Sequence, residues 1–215
     1  MGITGSQLAG GNSTYGRVDY DFYATDPKET INFLKTLRRD KVTFPGNKFL
    51  EPAAGAGHIV EAAKALLPDA EWVTCDIVER GFPLTYKDDY LAHSFSEKFD
   101  GIITNPPFAL ASEYIEKSLS LLNDKGKLAL FLKIQFLECE NRKGLFDRFP
   151  PKYVYVLRNR AKLWANGLPI NPTTGKPWAS TICFAWYVWE KNNKSEPIIR
   201  WVDEDEITLR PKKLF

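Results

Sequence analysis

The sequence is poor in the residues that hold metals and cross-links. It has two histidines, His58 and His93, and three cysteines, Cys75, Cys139 and Cys183, far apart and in apolar surroundings. No zinc-type spacing joins them, so no metal site is expected. Scattered, odd-numbered cysteines fit the reducing cytosol. No apolar run approaches the ~20 residues that span a bilayer. The first residues also lack the basic-then-apolar pattern of a secretory signal. A cytoplasmic protein without a membrane partner is therefore expected. A formal net charge of +2 is too small to argue for or against nucleic acid. There is no internal repeat.

What remains is an ordinary globular composition, with 44% hydrophobic residues in 215. That length suits one α/β core with at most an added subdomain. Residues 1–18, rich in Gly, Ser, Thr and Asn, read as a mobile arm. Residues 19–190 read as the domain, and the charged segment 191–215 as a tail packed on it or extending it. Within that tail, Ile198, Ile199 and Trp201 suggest an edge strand.

The chain is organised around Phe99-Asp100-Gly101-Ile102-Ile103-Thr104-Asn105-Pro106-Pro107-Phe108. Three β-branched residues suit an enclosed strand. The two prolines end it, since they lack N–H donors and fix φ. Asn105 is thereby held at the strand's carboxyl end, with Phe108 on a stiffened turn. Such a group has a use. An amino group conjugated to a ring is a poor nucleophile, because its lone pair is delocalised. A side-chain carbonyl and a main-chain carbonyl beside a proline can accept its two hydrogens, and an aromatic ring can stack on the base. By itself the stretch is also a common Pro-rich strand end.

The flanking elements give it company. Thr25 or Asp26 can cap a helix that has Pro27 in its first turn and Ile31, Phe33, Leu34 and Leu37 on its apolar face. Lys48–Pro52 is a short strand, Ala53–Gly57 a glycine turn, and His58–Leu67 a helix. Val60 stands where a dinucleotide fingerprint needs its third glycine, so that fingerprint fails. Glu51, just before the glycines, suits a ligand with an ammonium group. Glu71–Ile77 is a second strand ending in Asp76, about twenty residues past the glycines, the spacing of a ribose-binding carboxylate. Asp88 and Asp89 close a third, short strand. A helix through Tyr114, Ile115, Leu119 and Leu122 reaches Asn123–Gly126. Then follow a continuous apolar strand, Lys127–Lys133, a helix from Cys139 to Phe149, and strands at Tyr153–Leu157 and Ser180–Trp189. The β-α-β order indicates a doubly wound, Rossmann-like, mostly parallel sheet of seven strands, helices on both faces, with an antiparallel strand near the C-terminus. In such sheets ligands bind beyond the strands' carboxyl ends. Glu51, Asp76, Asp89 and Asn105 all fall there.

These residues resemble the class I S-adenosylmethionine-dependent amino-methyltransferases, and among them the adenine-N6 DNA methyltransferases of phage and prophage type. The resemblance covers roughly residues 20 to 190. Phe49–Gly57 is similar to the family's cofactor-binding glycine motif, and Asp21-Phe22-Tyr23-Ala24-Thr25-Asp26-Pro27 to the motif that contacts the methionine part. The resemblance implies S-adenosylmethionine as cofactor and S-adenosylhomocysteine as product. It implies a cofactor site made of Tyr23, Thr25, Glu51, Pro52, Ala53, Gly55, Gly57, Asp76, Ile77, Asp89, Tyr90 and Asn105. Asp76 would take the ribose hydroxyls, Ile77 the adenine face and Asp89 the adenine amino group. Asn105, Pro106, Pro107 and Phe108 match the catalytic tetrapeptide, which acts on a base flipped out of the duplex.

Between Arg158 and Thr181 lies a long loop in which Arg158, Arg160, Lys162 and Lys176 alternate with Trp164 and Trp178. Basic and aromatic residues together suit nucleic-acid contacts; equally, the tryptophans can anchor a solvated loop. DNA is the partner expected first. Methylation of an RNA base or a protein glutamine is one alternative, and a non-catalytic cofactor-fold subunit another. No further domain of ~100 residues is available for reading sequence. That leaves recognition by loops, relaxed specificity or a partner subunit.

Overall fold

The computed structural model describes residues 22–138, 140–178 and 181–204. The expected N-terminal arm, Asp21, Cys139, Ser180 and the end of the tail lie outside the described residues. In chain order the elements are β1 (Tyr23–Thr25), α1 (Pro27–Arg39), β2 (Lys48–Glu51), α2 (His58–Lys64), β3 (Glu71–Asp76), β4 (Tyr86–Lys87) and β5 (Phe99–Thr104). There follow α3 (Ala111–Leu121), β6 (Leu122–Lys133), α4 (Lys143–Arg148), β7 (Tyr153–Leu157), β8 (Leu163–Ala165), β9 (Phe184–Glu190) and β10 (Ile198–Val202).

The main sheet has the order β10-β7-β9-β6-β5-β2-β3-β4. Only β9 runs antiparallel to its neighbours, β6 and β7; the other pairs among these strands are parallel. The expectation of seven strands is corrected to eight. Residues 198–202 pair in parallel with β7 and so occupy what would otherwise be an open edge.

Period-two alternation sorts the central strands onto two faces. Leu50, Ile102, Leu128, Leu130 and Tyr187 pack with Tyr114, Ile115 and Leu119 of α3. Their sequence neighbours Phe49, Ile103, Ala129, Phe131 and Trp186 pack with Phe33, Leu34 and Leu37 of α1 and Ile59 of α2. Phe33 stacks on Trp186 with ring centres 4.5 Å apart. Burial on both faces explains why β6 reads as an unbroken apolar run.

Asp26, not Thr25, caps α1: its side chain accepts from the Lys28 N–H at 3.0 Å. Helix α2 stops at Lys64, short of Leu67, and α4 is the six residues Lys143–Arg148. Strand β8 is an element that the sequence reading lacks. It pairs antiparallel with β1, Tyr23 opposite Ala165 and Thr25 opposite Leu163, as a two-stranded flap apart from the main sheet. Among the described residues no helix is long and apolar enough to cross a membrane.

Candidate active site

The carboxyl ends of β2, β3 and β5, the turn after β4, and β1 from the flap enclose a cleft of about 1010 Å³, counting its open mouth. Asn105, Pro106, Pro107 and Phe108 line it, and so do Tyr23, Thr25, Glu51, Pro52, Ala53, Asp76, Ile77, Asp89 and Tyr90. Gly55 and Gly57, expected in the cofactor site, are not among its lining residues. Both have positive φ, 53° and 77°, which favours glycine. The ring of Phe22 lies so close to Gly55 that a Cβ there would collide with it.

Asn105 leaves β5 with its amide oriented. Its Nδ2 donates to the main-chain carbonyl of Tyr23 at 2.8 Å. Its Oδ1 is buried and has no partner. The reverse orientation would set two carbonyl oxygens against each other, so the amide is held with its nitrogen toward Tyr23. A buried acceptor without a donor is costly, of order 1–3 kcal/mol.

Glu51 also holds a buried, unpartnered oxygen, Oε2, and is 1% exposed. Burial pushes its carboxyl well above the usual range; Thr104 and the Ala53 N–H act in the opposite, weaker sense. The hydroxyl of Thr25 is also buried without a partner. Thr25, Glu51 and Asn105 thus hold such atoms among the cleft's lining residues, and Thr30, Trp72, Thr104 and Trp186 hold others outside that lining.

Asp76 is held firmly. Oδ2 accepts from the Gly55 N–H at 2.7 Å, and Oδ1 accepts from the Val78 N–H at 2.9 Å and from Arg80 at 3.3 Å. The Gly55 amide is thus turned toward Asp76 and not toward the cleft. A carboxylate offers about four lone-pair sites, so Oδ2 keeps room for one more donor. Ile77 is 46% exposed, an apolar surface at the cleft wall. Asp89 accepts from the Leu91 N–H at 2.9 Å in a local turn. The hydroxyl of Tyr90 is paired with Ser118 at 2.8 Å, so only its ring faces the cleft.

The six basic and aromatic loop residues are not among the cleft's lining. Arg158 pairs with Asp203 at 3.3 Å, and Arg160 reaches the Cys183 sulfur. Trp164 lies edge-on to His58 with ring centres 5.4 Å apart, and Trp178 donates to the Leu168 carbonyl at 2.6 Å. Both tryptophans thus have anchoring contacts.

Phe22 of the expected methionine-contacting motif lines the cleft, and so do His58, Arg80 and Tyr114, which sequence reasoning left out as site residues. Arg80 packs over the Phe22 ring at 4.3 Å. Its place four residues after Asp76 was a usable signal. Burial pushes His58 below the usual imidazole range. Nothing in the local sequence marks Tyr114 as more than a core position.

No protein-family model matches the sequence, and no curated protein does either. Solved structures do match in fold. A Listeria monocytogenes protein assigned as a class I S-adenosylmethionine-dependent methyltransferase aligns with a TM-score of 0.57 at 14% identity, over 91% of this chain and 70% of that one. The methyltransferase subunit of a type I restriction-modification system from Streptococcus thermophilus gives a TM-score of 0.57 at 16% identity, over 83% and 47%. A protein from Vibrio vulnificus assigned as a modification subunit of a type I restriction enzyme gives 0.57 at 13%, over 94% and 51%. The chain spans about half the length of these two restriction-system subunits. It has the Rossmann-like fold of class I methyltransferases.

Proposed function

We propose that the protein is an S-adenosylmethionine-dependent methyltransferase that acts on the exocyclic N6 amino group of adenine in DNA. The observation that carries this reading is the fixed amide of Asn105, its nitrogen tied to Tyr23 and its buried oxygen unpartnered. That oxygen is an acceptor waiting for an N–H donor, at the strand end where the fold places ligands.

The donor set fits the cofactor. Glu51, buried with one free oxygen, would take the ammonium group, an assignment that also removes the cost of its burial. Asp76 would accept from a ribose hydroxyl at the remaining site on Oδ2, and Ile77 would cover an adenine face. When bound, S-adenosylmethionine supplies an activated sulfonium methyl group and becomes S-adenosylhomocysteine.

The chain's own residues have three tasks. Asn105 Oδ1 and the Pro106 carbonyl would accept the two hydrogens of the target amino group. The nitrogen lone pair, withdrawn from the ring, would then point at the methyl carbon. The methyl group would come from the cofactor's sulfonium, and the nitrogen would give up its extra proton to water. No strong base is needed at the site. Phe108 would stack on the target base, which must stand outside the helix. Holding both reactants in line would lower the barrier through proximity and orientation.

The test is methyl transfer from labelled cofactor to unmethylated DNA, total RNA and cell protein side by side, with products digested and resolved by mass spectrometry. N6-methyladenine from DNA is expected. Label confined to RNA or to protein glutamine would overturn the substrate and keep the chemistry. No label anywhere, with cofactor bound, would overturn the enzymatic reading.

A further inference from the structure

Phe108, the ring assigned above to stacking, already has a partner. The ammonium of Lys133 sits 5.0 Å from its ring centre. Phe184 touches the ring from another direction, with centres 5.9 Å apart and planes tilted by 40°. Lys133 is the last residue of β6, the strand beside β5, so it stands at the same sheet edge as Asn105. Its main chain is fixed. Lys133 pairs with Phe184 across the antiparallel ladder, and its carbonyl accepts from the Tyr187 hydroxyl at 3.2 Å. The side chain is half-buried. Among the described residues no carboxylate pairs with its ammonium, which lies over the Phe108 ring.

Other described lysines form ion pairs, as Lys127 does with Glu190 and Lys143 with Asp147. Lys133 instead rests on a π face beside the proposed target pocket. A cation–π contact at a partly exposed site is worth only ~0.5–1 kcal/mol, so it is easily exchanged. A base entering to stack on Phe108 competes for that face. The nucleotide that brings the base also brings a phosphate on each side, a stronger partner for an ammonium group. The flexible stem of lysine spans such a change without moving the backbone.

We propose that Lys133 is a substrate-positioning residue. It occupies the stacking face of Phe108 in the free enzyme and moves to a backbone phosphate flanking the extruded nucleotide when the base enters. The inference rests on the reading of Phe108 as the stacking ring. It differs from the basic loop residues in location, since Lys133 reaches the tetrapeptide itself.

The experiment compares wild-type protein with Lys133→Gln and Lys133→Arg in steady-state methylation of unmethylated genomic DNA across a salt series. For Lys133→Gln, KM for DNA should rise about tenfold, while the logarithmic salt dependence of kcat/KM becomes shallower by about one, the loss of one phosphate contact. Affinity for S-adenosylhomocysteine should not change, and Lys133→Arg should restore most of the KM and the salt slope. A Lys133→Gln protein with wild-type KM and slope would overturn the proposal and leave the methyltransferase reading standing. A kcat loss with unchanged KM, not rescued by arginine, would make Lys133 a packing residue and overturn it too. Wild-type protein that transfers nothing to DNA would overturn the functional reading, and this inference with it.

Discussion

Asn105 and Tyr23 lie 82 positions apart in sequence, yet the amide of one donates to the main-chain carbonyl of the other at 2.8 Å. The contact ties the end of β5 to β1 and so to the flap that β1 forms with β8. It also fixes the orientation of the amide. A hydrogen bond of this kind contributes only about 1 kcal/mol of net stability. Its larger effect is orientation: without it, Asn105 could turn either its acceptor or its donors toward a substrate.

Asp76 ties the glycine turn to the proposed cofactor site, so its loss should act on binding before chemistry. Asp76→Ala removes the acceptor for Gly55 and Arg80 as well as the proposed ribose contact. We expect cofactor affinity to fall about tenfold or more, the equivalent of one good hydrogen bond at roughly 1.4 kcal/mol per decade. Titration calorimetry with S-adenosylhomocysteine measures it. Unchanged affinity would refute the ribose assignment.

Glu51 predicts a pH effect with a definite sign. Burial holds its carboxyl well above the usual range, so the empty site favours the protonated form. An arriving ammonium favours the carboxylate, and binding therefore releases a proton. Cofactor affinity should rise with pH until Glu51 ionises in the empty protein. Calorimetry in buffers of different ionisation enthalpy should show proton release for wild type and none for Glu51→Gln. Binding heats that do not depend on the buffer would contradict the role.

Glu29 makes a separate prediction about stability. Burial, with Asp26 close by, raises its carboxyl to about 7 from an ordinary value of 4.5. Between these values the folded chain binds more protons than the unfolded one. Stability from this group is therefore fully present below about 4.5, falls as pH rises toward 7, and is lost above. Glu29→Gln should flatten that slope and raise stability at pH 8 by up to about 3 kcal/mol. Denaturant midpoints at pH 5 and pH 8 decide it; parallel slopes in both proteins would exclude Glu29 as the cause.

The parts of this fold that were legible in sequence are those set by local chemistry. Ile102, Ile103 and Thr104 followed by two prolines announce a buried strand with an abrupt end. Glu51 and Asp76 were placed on the same sheet edge by strand position and spacing. The flap was not legible. Leu163-Trp164-Ala165 is three residues long, lies among glycines and prolines, and pairs with a segment about 140 positions earlier. The same long reach hid the Asn105–Tyr23 bond and the stacking of Arg80 on Phe22. The tryptophans of the basic loop illustrate the reverse case. Composition allowed base stacking or anchoring equally, and their contacts with His58 and Leu168 are of the anchoring kind.

The central claim is that the Asn105 carbonyl holds the target amino group. The most direct measurement is single-turnover methyl transfer to DNA by Asn105→Ala, paired with its affinity for S-adenosylhomocysteine. The account predicts that transfer falls by ~10²–10³, the cost of removing one oriented polar contact to the reacting group, while affinity stays within about threefold, under 1 kcal/mol. Transfer at the wild-type rate, or transfer and affinity lost in equal measure, would contradict it.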